Sequence, residues 1–335
     1  MTAGLGEPSQ PARPPLVVVC GPTATGKTDL AIRLALAMIE AGLAAEVISA
    51  DSRQVYRGMD VGTAKPTLAE RRNVPHHCLD LVDPDEPFSV ADFVKQAGAA
   101  LASIADRGGV AILAGGTGLW IRAVADGLAL DRLPHDPAIR VALEAELVAA
   151  GPAPLVARLR ELAPRRAARV DLHNPRRVVR ALEIAILLGD GEAPPARGYK
   201  GPVARIGLDV ADRRIHRRWI EARAEAQLEA GILVEAARLR ARYPETLPAL
   251  SAIGYREAFD LLDGRLDRAG YLEVNARRNV GLARRQRTWF RPDGRICWLD
   301  PSAGDPLPAT LAAASELAGA GTAIGPRLEP ALSSG

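Results

Sequence analysis

The stretch LVVVCGPTATGKT, residues 16–28, joins a short apolar run to a glycine-rich loop. The run Leu16–Cys20 is typical of a strand that is buried on both faces of a parallel sheet. The segment after it matches the pattern G-x-x-x-x-G-K-[ST], in which backbone N–H groups and the start of a helix bind phosphate oxygens. Lys27 would contribute a positive charge to such a site, and the Thr28 hydroxyl would suit Mg²⁺. A chance glycine turn is the alternative, but the position between a strand and a predicted helix argues against it.

Further apolar segments predict the rest of a parallel sheet. We expect a helix from the loop to about Ala41. Strands are predicted at residues 45–52, 109–118, 203–210 and 295–300. Strands that alternate with glycine loops and helices indicate an α/β fold, a doubly wound parallel sheet around a P-loop. Such sheets bind ligands beyond the carboxyl ends of their strands.

The strand signal disappears between residues 130 and 172, where the sequence has the spacing of short amphipathic helices. We interpret this segment as an inserted helical subdomain, which would contact the substrate of the protein. Residues 15–129 and 173–300 would then form the P-loop core with C-terminal helices. Residues 1–14 are predicted to be a disordered leader, and the Ala/Gly/Pro-rich residues 301–335 a mostly disordered tail with one short helix.

Composition restricts the class of protein more than it identifies a partner. The chain has 335 residues and a formal net charge of +3, so its total charge does not point to a polyanion. Three cysteines lie far apart without a Cys-x-x-Cys pair, which argues against a disulfide framework or a zinc knuckle. No apolar run approaches the ~20 residues that span a bilayer. We expect a cytoplasmic protein that does not enter a membrane, and nothing in the sequence requires more than a monomer.

Other segments place polar groups or glycines at predicted strand ends. Asp51 and Ser52, in SADSRQVYRGMDVGTAKP, would face the phosphate loop, where a carboxylate can act as a metal ligand or a general base. An aspartate that caps the following turn is the alternative. GGTGLW, residues 115–120, would let the backbone approach a ligand closely, although a simple strand-to-helix turn has a similar sequence. His76 and His77 are adjacent and point in different directions, so a structural role is favoured over a shared metal.

These segments, in this order and spacing, resemble the tRNA dimethylallyltransferases, also called tRNA isopentenyltransferases. Common P-loop kinases share only the phosphate loop, so the resemblance is specific. The sequence shows no Cys/His zinc module of the kind found in eukaryotic relatives, so we expect the bacterial type. The resemblance covers roughly residues 16–300, and three later segments complete it: NPRRVVRALEI from Asn174, SAIGYREA from Ser251 and RRNVGLARRQRTWFR from Arg277.

The resemblance implies that the loop holds the diphosphate of dimethylallyl diphosphate and that no nucleotide is hydrolysed. The dimethylallyl group would go to N6 of adenosine 37, 3′ of the anticodon, in tRNAs that read codons beginning with U. Asp51 matches the family's catalytic carboxylate and would accept the amine proton, while Thr117 matches a position near the target base. Mg²⁺, held at Thr28, would assist the departing diphosphate. The diphosphate-binding residues would be Gly21, Pro22, Thr23, Ala24, Thr25, Gly26, Lys27 and Thr28.

The family also carries arginines after residue 212, one of which helps to hold the diphosphate. Arg223 keeps its position in this sequence, but Trp219 occupies the place of the earlier arginine. Arg218 could substitute for it with a small shift. We assign the diphosphate role to Arg223. The residues predicted to be catalytic are Asp51, Lys27, Thr28, Thr117 and Arg223.

Basic segments would bind the tRNA anticodon stem-loop. Four arginines between residues 277 and 291 fall at helical spacings and form a stripe suited to RNA phosphates: Arg277, Arg284, Arg287 and Arg291. From the residues alone, a solvated basic helix face is favoured. With the resemblance, the predicted tRNA-binding residues are Asp51, Ser52, Arg53, Gln54, Thr117, Arg140, Arg176, Arg177, Arg180, Gly254, Tyr255, Arg256, Arg284, Arg285, Gln286, Arg287 and Arg291.

Two other classes of protein remain as alternatives. One is a small-molecule kinase or NTPase, which would need an adenine pocket and a phosphate-acceptor site that the sequence does not identify. The other is a noncatalytic RNA-binding protein with a vestigial loop, and the intact Lys27, Thr28 and Asp51 argue against it. Stabilisation by dimethylallyl diphosphate rather than by ATP–Mg²⁺ would distinguish the prenyltransferase from the kinase.

Overall fold

A parallel sheet forms the core of the computed structural model, which describes residues 13–130, 133–192 and 195–321. Within these ranges the strands are β1 (Leu16–Cys20), β2 (Ala45–Ser49), β3 (His76–His77), β4 (Val110–Ala114), β5 (Val203–Leu208) and β6 (Cys297–Leu299). Their order across the sheet is β3-β2-β4-β1-β5-β6, and every pair is parallel. The predicted α/β class with a parallel sheet is confirmed.

β1 is buried on both faces, which explains its continuous apolar run. Leu16 and Val18 belong to one hydrophobic core, together with Phe93, and Val17 and Val19 belong to the core on the opposite face. β4 and β5 pair with its two edges, whereas β2 lies beyond β4. The direction of the connections therefore changes beside β1, and loops at such a switch point leave a crevice for ligands.

The structure changes the boundaries of the predicted strands. β2 and β4 end earlier than predicted, so residues 50–52 and 115–117 form turns at the carboxyl edge of the sheet. β3 is not among the predicted strands, because two residues are too few to produce a periodic pattern. Within β3, His77 Nε2 lies 2.6 Å from Glu46 Oε2 of β2, in agreement with a structural role for this histidine.

Helices pack on the sheet and continue the chain beyond it. In the part of the chain that the structure describes, none is both long and apolar enough to cross a membrane. Among the described residues outside 127–197, the α-helices are α1 (Lys27–Glu40), α2 (Leu68–Arg71), α3 (Val90–Asp106), α4 (Gly118–Ala125), α9 (Arg213–Glu229), α10 (Ile232–Arg242), α11 (Tyr255–Leu262), α12 (Arg268–Phe290) and α13 (Leu307–Gly321). A short 3₁₀ helix lies at Ala249–Ser251.

Residues 127–197 form a separate compact unit. Its helices are α5 (Pro137–Ala150), α6 (Pro152–Leu162), α7 (Pro164–Ala167) and α8 (Pro175–Leu188). Leu143 of α5, Leu155 and Leu159 of α6, and Val178 and Leu182 of α8 share one hydrophobic cluster. The unit is therefore longer than the predicted segment 130–172, because α8 supplies one wall of its core.

The short helix predicted within the mostly disordered tail is present as α13 and runs over 15 residues. α13 packs on α1, with Thr310 and Ala314 fully buried. The Arg33 guanidinium of α1 donates to Asp305 just before α13, at 2.6 Å. Small residues at helical spacing let α13 lie against the sheet, and this contact is not visible in a low-complexity composition. Most of the predicted leader, and the tail after residue 321, lie outside the described residues.

Candidate active site

The carboxyl edge of the sheet borders a cavity of about 770 Å³. Its lining includes the loop between β1 and α1 and the turns after β2 and β4. Gly21 begins the phosphate loop with a φ of 131°, and a Cβ on this residue would lie 2.2 Å from the Leu208 carbonyl oxygen. Glycine is needed here because the loop runs against β5, which explains the first position of the motif.

The phosphate loop has internal hydrogen bonds and one strained residue. Thr25 Oγ1 donates to the Pro22 carbonyl oxygen at 3.0 Å, and Lys27 Nζ donates to the same oxygen. Ala24 has a left-handed backbone with a φ of 58°, which costs a residue with a Cβ about 1–2 kcal/mol. Such a conformation persists only where the surrounding structure holds it.

Two cations and one carboxylate dominate the electrostatics of the cavity. Burial, followed by the nearby charge of Arg223, lowers the pKa of Lys27 to about 8, while Asp51 opposes this shift. Burial also lowers the pKa of Arg223, and Asp51 again opposes it. The three groups are close enough to influence one another, and one carboxylate does not balance two desolvated cations. A polyanionic ligand would stabilise both cations, so the loop is suited to a diphosphate.

Of the two arginines considered for the diphosphate, the structure brings Arg223 to the loop. Its Nη1 donates to Thr23 Oγ1 at 3.0 Å, and its side chain lines the cavity. Arg218 is exposed and does not contribute to the lining. The two positions are five residues apart on α9, which places them on different faces of the helix.

Asp51 and Thr117 come together where β2 and β4 end. The Ser52 N–H donates to Thr117 Oγ1 at 3.0 Å, and the Thr117 N–H donates to the Ala50 carbonyl oxygen at 3.2 Å. A Cβ on Gly115 would lie 2.2 Å from that carbonyl oxygen. The two turns can approach this closely only because the second one begins with glycine.

The carboxyl group of Asp51 uses one oxygen to cap a turn. Its Oδ1 accepts from the Arg53 N–H at 2.9 Å, so the capping role considered from the sequence is real. Among the described residues, Oδ2 takes no hydrogen bond. Asp51 can therefore cap the turn and still accept a proton, since the second oxygen of the carboxylate can receive a proton from a ligand in the cavity.

Gln286 of α12 joins the phosphate loop to the turn after β4. Its Oε1 accepts from the Thr23 N–H at 2.7 Å, and its Nε2 donates to the Gly116 carbonyl oxygen at 3.1 Å. A Cβ on Gly116 would lie 2.2 Å from this Nε2, and one on Gly118 would lie 1.9 Å from the Trp289 ring. Gly116 and Gly118 of GGTGLW are thus explained by the close packing of α12, a partner that the sequence did not reveal.

Two residues predicted to contact tRNA, Gln54 and Tyr255, are buried. Gln54 accepts from Ser49 Oγ at 2.8 Å and donates to the carbonyl oxygens of residues 63 and 64. Tyr255 is 0% exposed, and its hydroxyl donates to Glu235 Oε1 at 2.7 Å. The Tyr255 side chain is therefore not accessible to RNA, whereas Gln54 is 7% exposed and lines the cavity with its amide group already hydrogen-bonded within the protein. Both side chains therefore hold together the backbone around the site.

We expect the Tyr255→Phe variant to lose stability rather than RNA affinity. The substitution removes one hydrogen bond to Glu235, and a buried bond of this kind contributes about 1–3 kcal/mol to the free energy of unfolding. Urea denaturation measures this loss, and filter binding measures the tRNA dissociation constant. Tyr243→Phe is the control, because that side chain is only half-buried. A Tyr255→Phe protein of normal stability that binds tRNA weakly would instead support a direct contact between Tyr255 and tRNA.

Arg287 points into the protein rather than into the predicted basic stripe. Its side chain is 13% exposed, and its Nε donates to Asp209 Oδ1 at 2.7 Å. A second nitrogen of the guanidinium contacts His216 Nδ1. Helical spacing alone does not show that this position faces α9. The exposed arginines of α12 and its C-terminal end are Arg268, Arg277, Arg284, Arg285 and Arg291.

The other residues predicted to contact tRNA outside residues 127–197 differ in whether they are buried, exposed or part of the cavity lining. Gly254 is buried and has a φ of 107°, so it is a backbone requirement of the turn before α11. Arg256, the second residue of α11, is exposed. The residues of this group that line the cavity are Ser52, Arg53 and Arg285.

In the helical unit, two predicted tRNA contacts converge on Glu183, which is 0% exposed. Arg140 Nε lies 3.1 Å and Arg180 Nη1 lies 2.8 Å from Glu183 Oε2. Burial raises the pKa of Glu183, but these hydrogen bonds and one from His135 outweigh burial and lower the pKa to about 2. Both arginines therefore hold the unit together. The remaining two contacts predicted in this unit are exposed near the start of α8: Arg176 and Arg177.

The fold and the cavity define a P-loop α/β protein in which a cradle for a polyphosphate lies beside a carboxylate. Two family models match the chain, IPP transferase over residues 54–293 and Isopentenyl transferase over residues 14–85. The tRNA dimethylallyltransferase of Kineococcus radiotolerans is 44% identical and aligns over 90% of this chain and 95% of its own. The chain belongs to the tRNA dimethylallyltransferase family and is a prenyltransferase.

Other relatives agree with this membership. The tRNA dimethylallyltransferase of Moorella thermoacetica is 41% identical over 89% of this chain and 94% of its own. The crystal structure of the tRNA isopentenylpyrophosphate transferase of Bacillus halodurans superimposes with a TM-score of 0.62 at 36% identity, covering 90% of this chain and 98% of that one. The resemblance that the motifs indicated is confirmed.

Proposed function

We propose that this chain transfers the dimethylallyl group of dimethylallyl diphosphate to N6 of adenosine 37, 3′ of the anticodon, in tRNAs that read codons beginning with U. The products would be N6-isopentenyladenosine and diphosphate. One observation carries the proposal: the cation-rich phosphate loop and the carboxylate of Asp51 line the same cavity. The names of the relatives support the two substrate classes, a dimethylallyl donor and tRNA.

The proposed reaction is a substitution at C1 of the allyl group. A bond forms between adenine N6 and C1 while the bond between C1 and the diphosphate oxygen breaks. N6 is a weak nucleophile because its lone pair is delocalised into the ring, so its proton passes to Asp51 Oδ2 as the attack proceeds. Lys27, Arg223 and the N–H groups of the loop stabilise the charge that develops on the departing diphosphate.

The phosphate loop also suits Mg²⁺. Thr28 is exposed in the first turn of α1 and lines the cavity. Among the described residues, no cluster of three or more His, Cys, Asp or Glu side chains could hold a metal ion. A site whose protein ligand is the Thr28 hydroxyl fits Mg²⁺, which commonly takes few protein ligands when substrate phosphates and waters complete its shell. We propose that Thr28 and the diphosphate hold the ion, which would neutralise charge on the leaving group.

The target base must leave its stack to reach the cavity. Adenine N6 is accessible only when the base turns outward, at a cost of a few kcal/mol that is smallest in an open loop. The turn that holds Thr117 and the turn that holds Asp51 are joined by a hydrogen bond through Ser52. We propose that this pair of turns receives the base, with Thr117 beside it and Asp51 facing N6.

We expect Arg284→Ala to weaken tRNA binding through the loss of one phosphate contact. Arg284 is exposed on α12, so its removal should not disturb the core. The logarithm of the binding constant should then depend less steeply on the logarithm of salt concentration, by about 0.7–0.9. Filter binding at several salt concentrations measures the slope. Arg242→Ala, which removes a charge from α10, is the control, and an equal change in both variants would rule out a specific contact.

The direct test of the proposed function is transfer from a labelled donor. The purified protein is incubated with Mg²⁺, labelled dimethylallyl diphosphate and tRNA that lacks the modification, and the tRNA is then digested to nucleosides. We expect the label in N6-isopentenyladenosine, and none when adenosine 37 is replaced by guanosine. Label in another nucleoside would refute the position. Consumption of ATP with no labelled nucleoside would favour the kinase alternative.

A further inference from the structure

Thr23 connects the phosphate loop to two helices through all of its polar groups. Its N–H donates to Gln286 of α12, and its hydroxyl accepts from Arg223 of α9. Its carbonyl oxygen lies 2.8 Å from His216 Nε2 of α9. The next residue is Ala24, whose left-handed backbone needs support from its neighbours. The contacts that keep Thr23 in place therefore also stabilise the turn at Ala24, which orients the N–H groups of the following residues toward a ligand.

His216 is the only one of the three Thr23 partners that does not line the cavity. It is 2% exposed, and the cavity lining includes Arg223 and Gln286 but not His216. It therefore does not contact a ligand directly. Any effect on the reaction must act through the loop.

The hydrogen bonds around His216 determine which ring nitrogen carries the proton. The Arg287 guanidinium has only donors, so the His216 Nδ1 atom that it contacts accepts. Nε2 then carries the proton and donates to the Thr23 carbonyl oxygen. Burial lowers the pKa of His216, which agrees with a neutral ring.

Arg287 is itself held in place by an acidic group. Its Nε donates to Asp209 Oδ1 at 2.7 Å, and Arg213 Nη1 donates to the same oxygen at 3.0 Å. Asp209 follows β5, so the chain of contacts starts at the sheet and ends at the loop. Each member orients the next: the carboxylate orients the guanidinium, and the guanidinium orients the imidazole.

We infer that His216, oriented by Arg287 and Asp209, is a positioning residue that keeps the phosphate loop in the conformation that binds the diphosphate. The inference rests on the proposed function, because it assigns the diphosphate of the donor to this loop. It gives Arg287 a role in donor binding, in place of the RNA contact that its spacing suggested. Removing the imidazole would free the Thr23 carbonyl and let the strained turn at Ala24 relax.

The test compares two substitutions that keep the size of the buried side chain. His216→Leu removes both hydrogen bonds, whereas His216→Gln keeps a donor for Thr23 and an acceptor for Arg287 on one planar group. The probe is inorganic diphosphate with Mg²⁺, titrated by calorimetry into each protein. We expect the leucine variant to bind about 5- to 50-fold more weakly and the glutamine variant to stay within about threefold of the wild type.

Steady-state kinetics of transfer give a second readout. In the leucine variant the KM for the donor should rise by a factor similar to the change in diphosphate affinity, while kcat and the KM for tRNA change less. Arg287→Met should shift the donor KM in the same direction by a smaller factor, which keeps the inference testable if His216→Leu does not fold. A general loss of structure would instead change both KM values and kcat together.

The outcomes separate this inference from the proposed function. A folded leucine variant that binds diphosphate as tightly as the wild type would overturn the inference, even if transfer to tRNA is observed. A glutamine variant as weak as the leucine variant would also overturn it, because size rather than hydrogen bonding would then be decisive. If the expected order of diphosphate affinities is found but the wild type transfers no dimethylallyl group, only the proposed function fails.

Discussion

Replacing Asp51 with Asn should lower kcat for transfer by about 10²–10⁴-fold, the range for loss of a general base, while tRNA affinity changes by less than about twofold. Asparagine keeps the size of the side chain and an oxygen that can accept from the Arg53 N–H, so the turn after β2 should be preserved. What it loses is an oxygen able to take a proton from N6. Single-turnover kinetics with enzyme in excess over tRNA measures the chemical step without interference from product release.

The control for this prediction is Asp29→Asn. Asp29 is a carboxylate two residues after Lys27, but it is exposed and forms an ion pair with Arg33 at 3.4 Å. Its removal changes the net charge near the loop by the same amount and should leave kcat within about threefold of the wild type. If Asp51→Asn turns over normally, Asp51 is not the base. If both variants lose activity equally, the loss reflects the electrostatic field rather than proton transfer.

Replacing Lys27 with Met should lower kcat/KM for the donor by about 10²–10³-fold, the range for removing one group that stabilises developing charge. Methionine fills nearly the same space and cannot donate to the Pro22 carbonyl oxygen or to a phosphate. The KM for tRNA should change little, because Lys27 lies in the phosphate loop. A Lys27→Met enzyme with a normal rate at saturating donor would show that this ammonium does not act on the leaving group.

The same lysine predicts a pH dependence of donor binding. Burial and Arg223 lower the pKa of Lys27 to about 8, so in the free protein the ammonium is present below this pH and is lost above it. A bound diphosphate favours the charged form, so the dissociation constant of the donor should rise by up to about tenfold per pH unit above this pKa. Calorimetry between about pH 7 and about pH 9.5 measures this dissociation constant. Lys27→Met should lack this rise, and an equal rise in both proteins would assign it to another group.

Several parts of the fold and the site were readable from sequence because they depend on local requirements. The phosphate loop needs glycine at Gly21 for a positive φ and a lysine at its end, and these requirements leave a spaced pattern. A strand buried on both faces must be apolar throughout, so β1 was placed with both of its ends. Asp51 was singled out for a similar reason, because it lies at the end of a predicted strand, whereas Thr117 was assigned only through the family resemblance.

The roles of individual polar side chains were less predictable. The sequence assigned Tyr255, Gln54 and Arg287 to tRNA, because they lie within motifs of the family or at helical spacing. In the structure Tyr255 and Arg287 form hydrogen bonds to groups distant in the chain, Glu235 and Asp209. Gln54 instead bonds to nearby groups, the Ser49 hydroxyl and the carbonyl oxygens of residues 63 and 64. A motif preserves any residue whose loss damages the site, and it does not distinguish contact with a substrate from support of the backbone.

The sequence by itself determined the class of fold, the phosphate loop, the carboxylate after β2 and the family, because each leaves a signature within a few consecutive residues. Only the tertiary structure decided that α8 belongs to the helical unit, that α13 packs on α1, and that His216 and Arg287 support Thr23. The physical reason is the same in each case. The contacts of His216, Arg287 and α13 join residues from about 70 to almost 300 positions apart, and α8 is a helix of ordinary composition. The free energy of all these contacts depends on burial and hydrogen-bond geometry that exist only once the chain has folded.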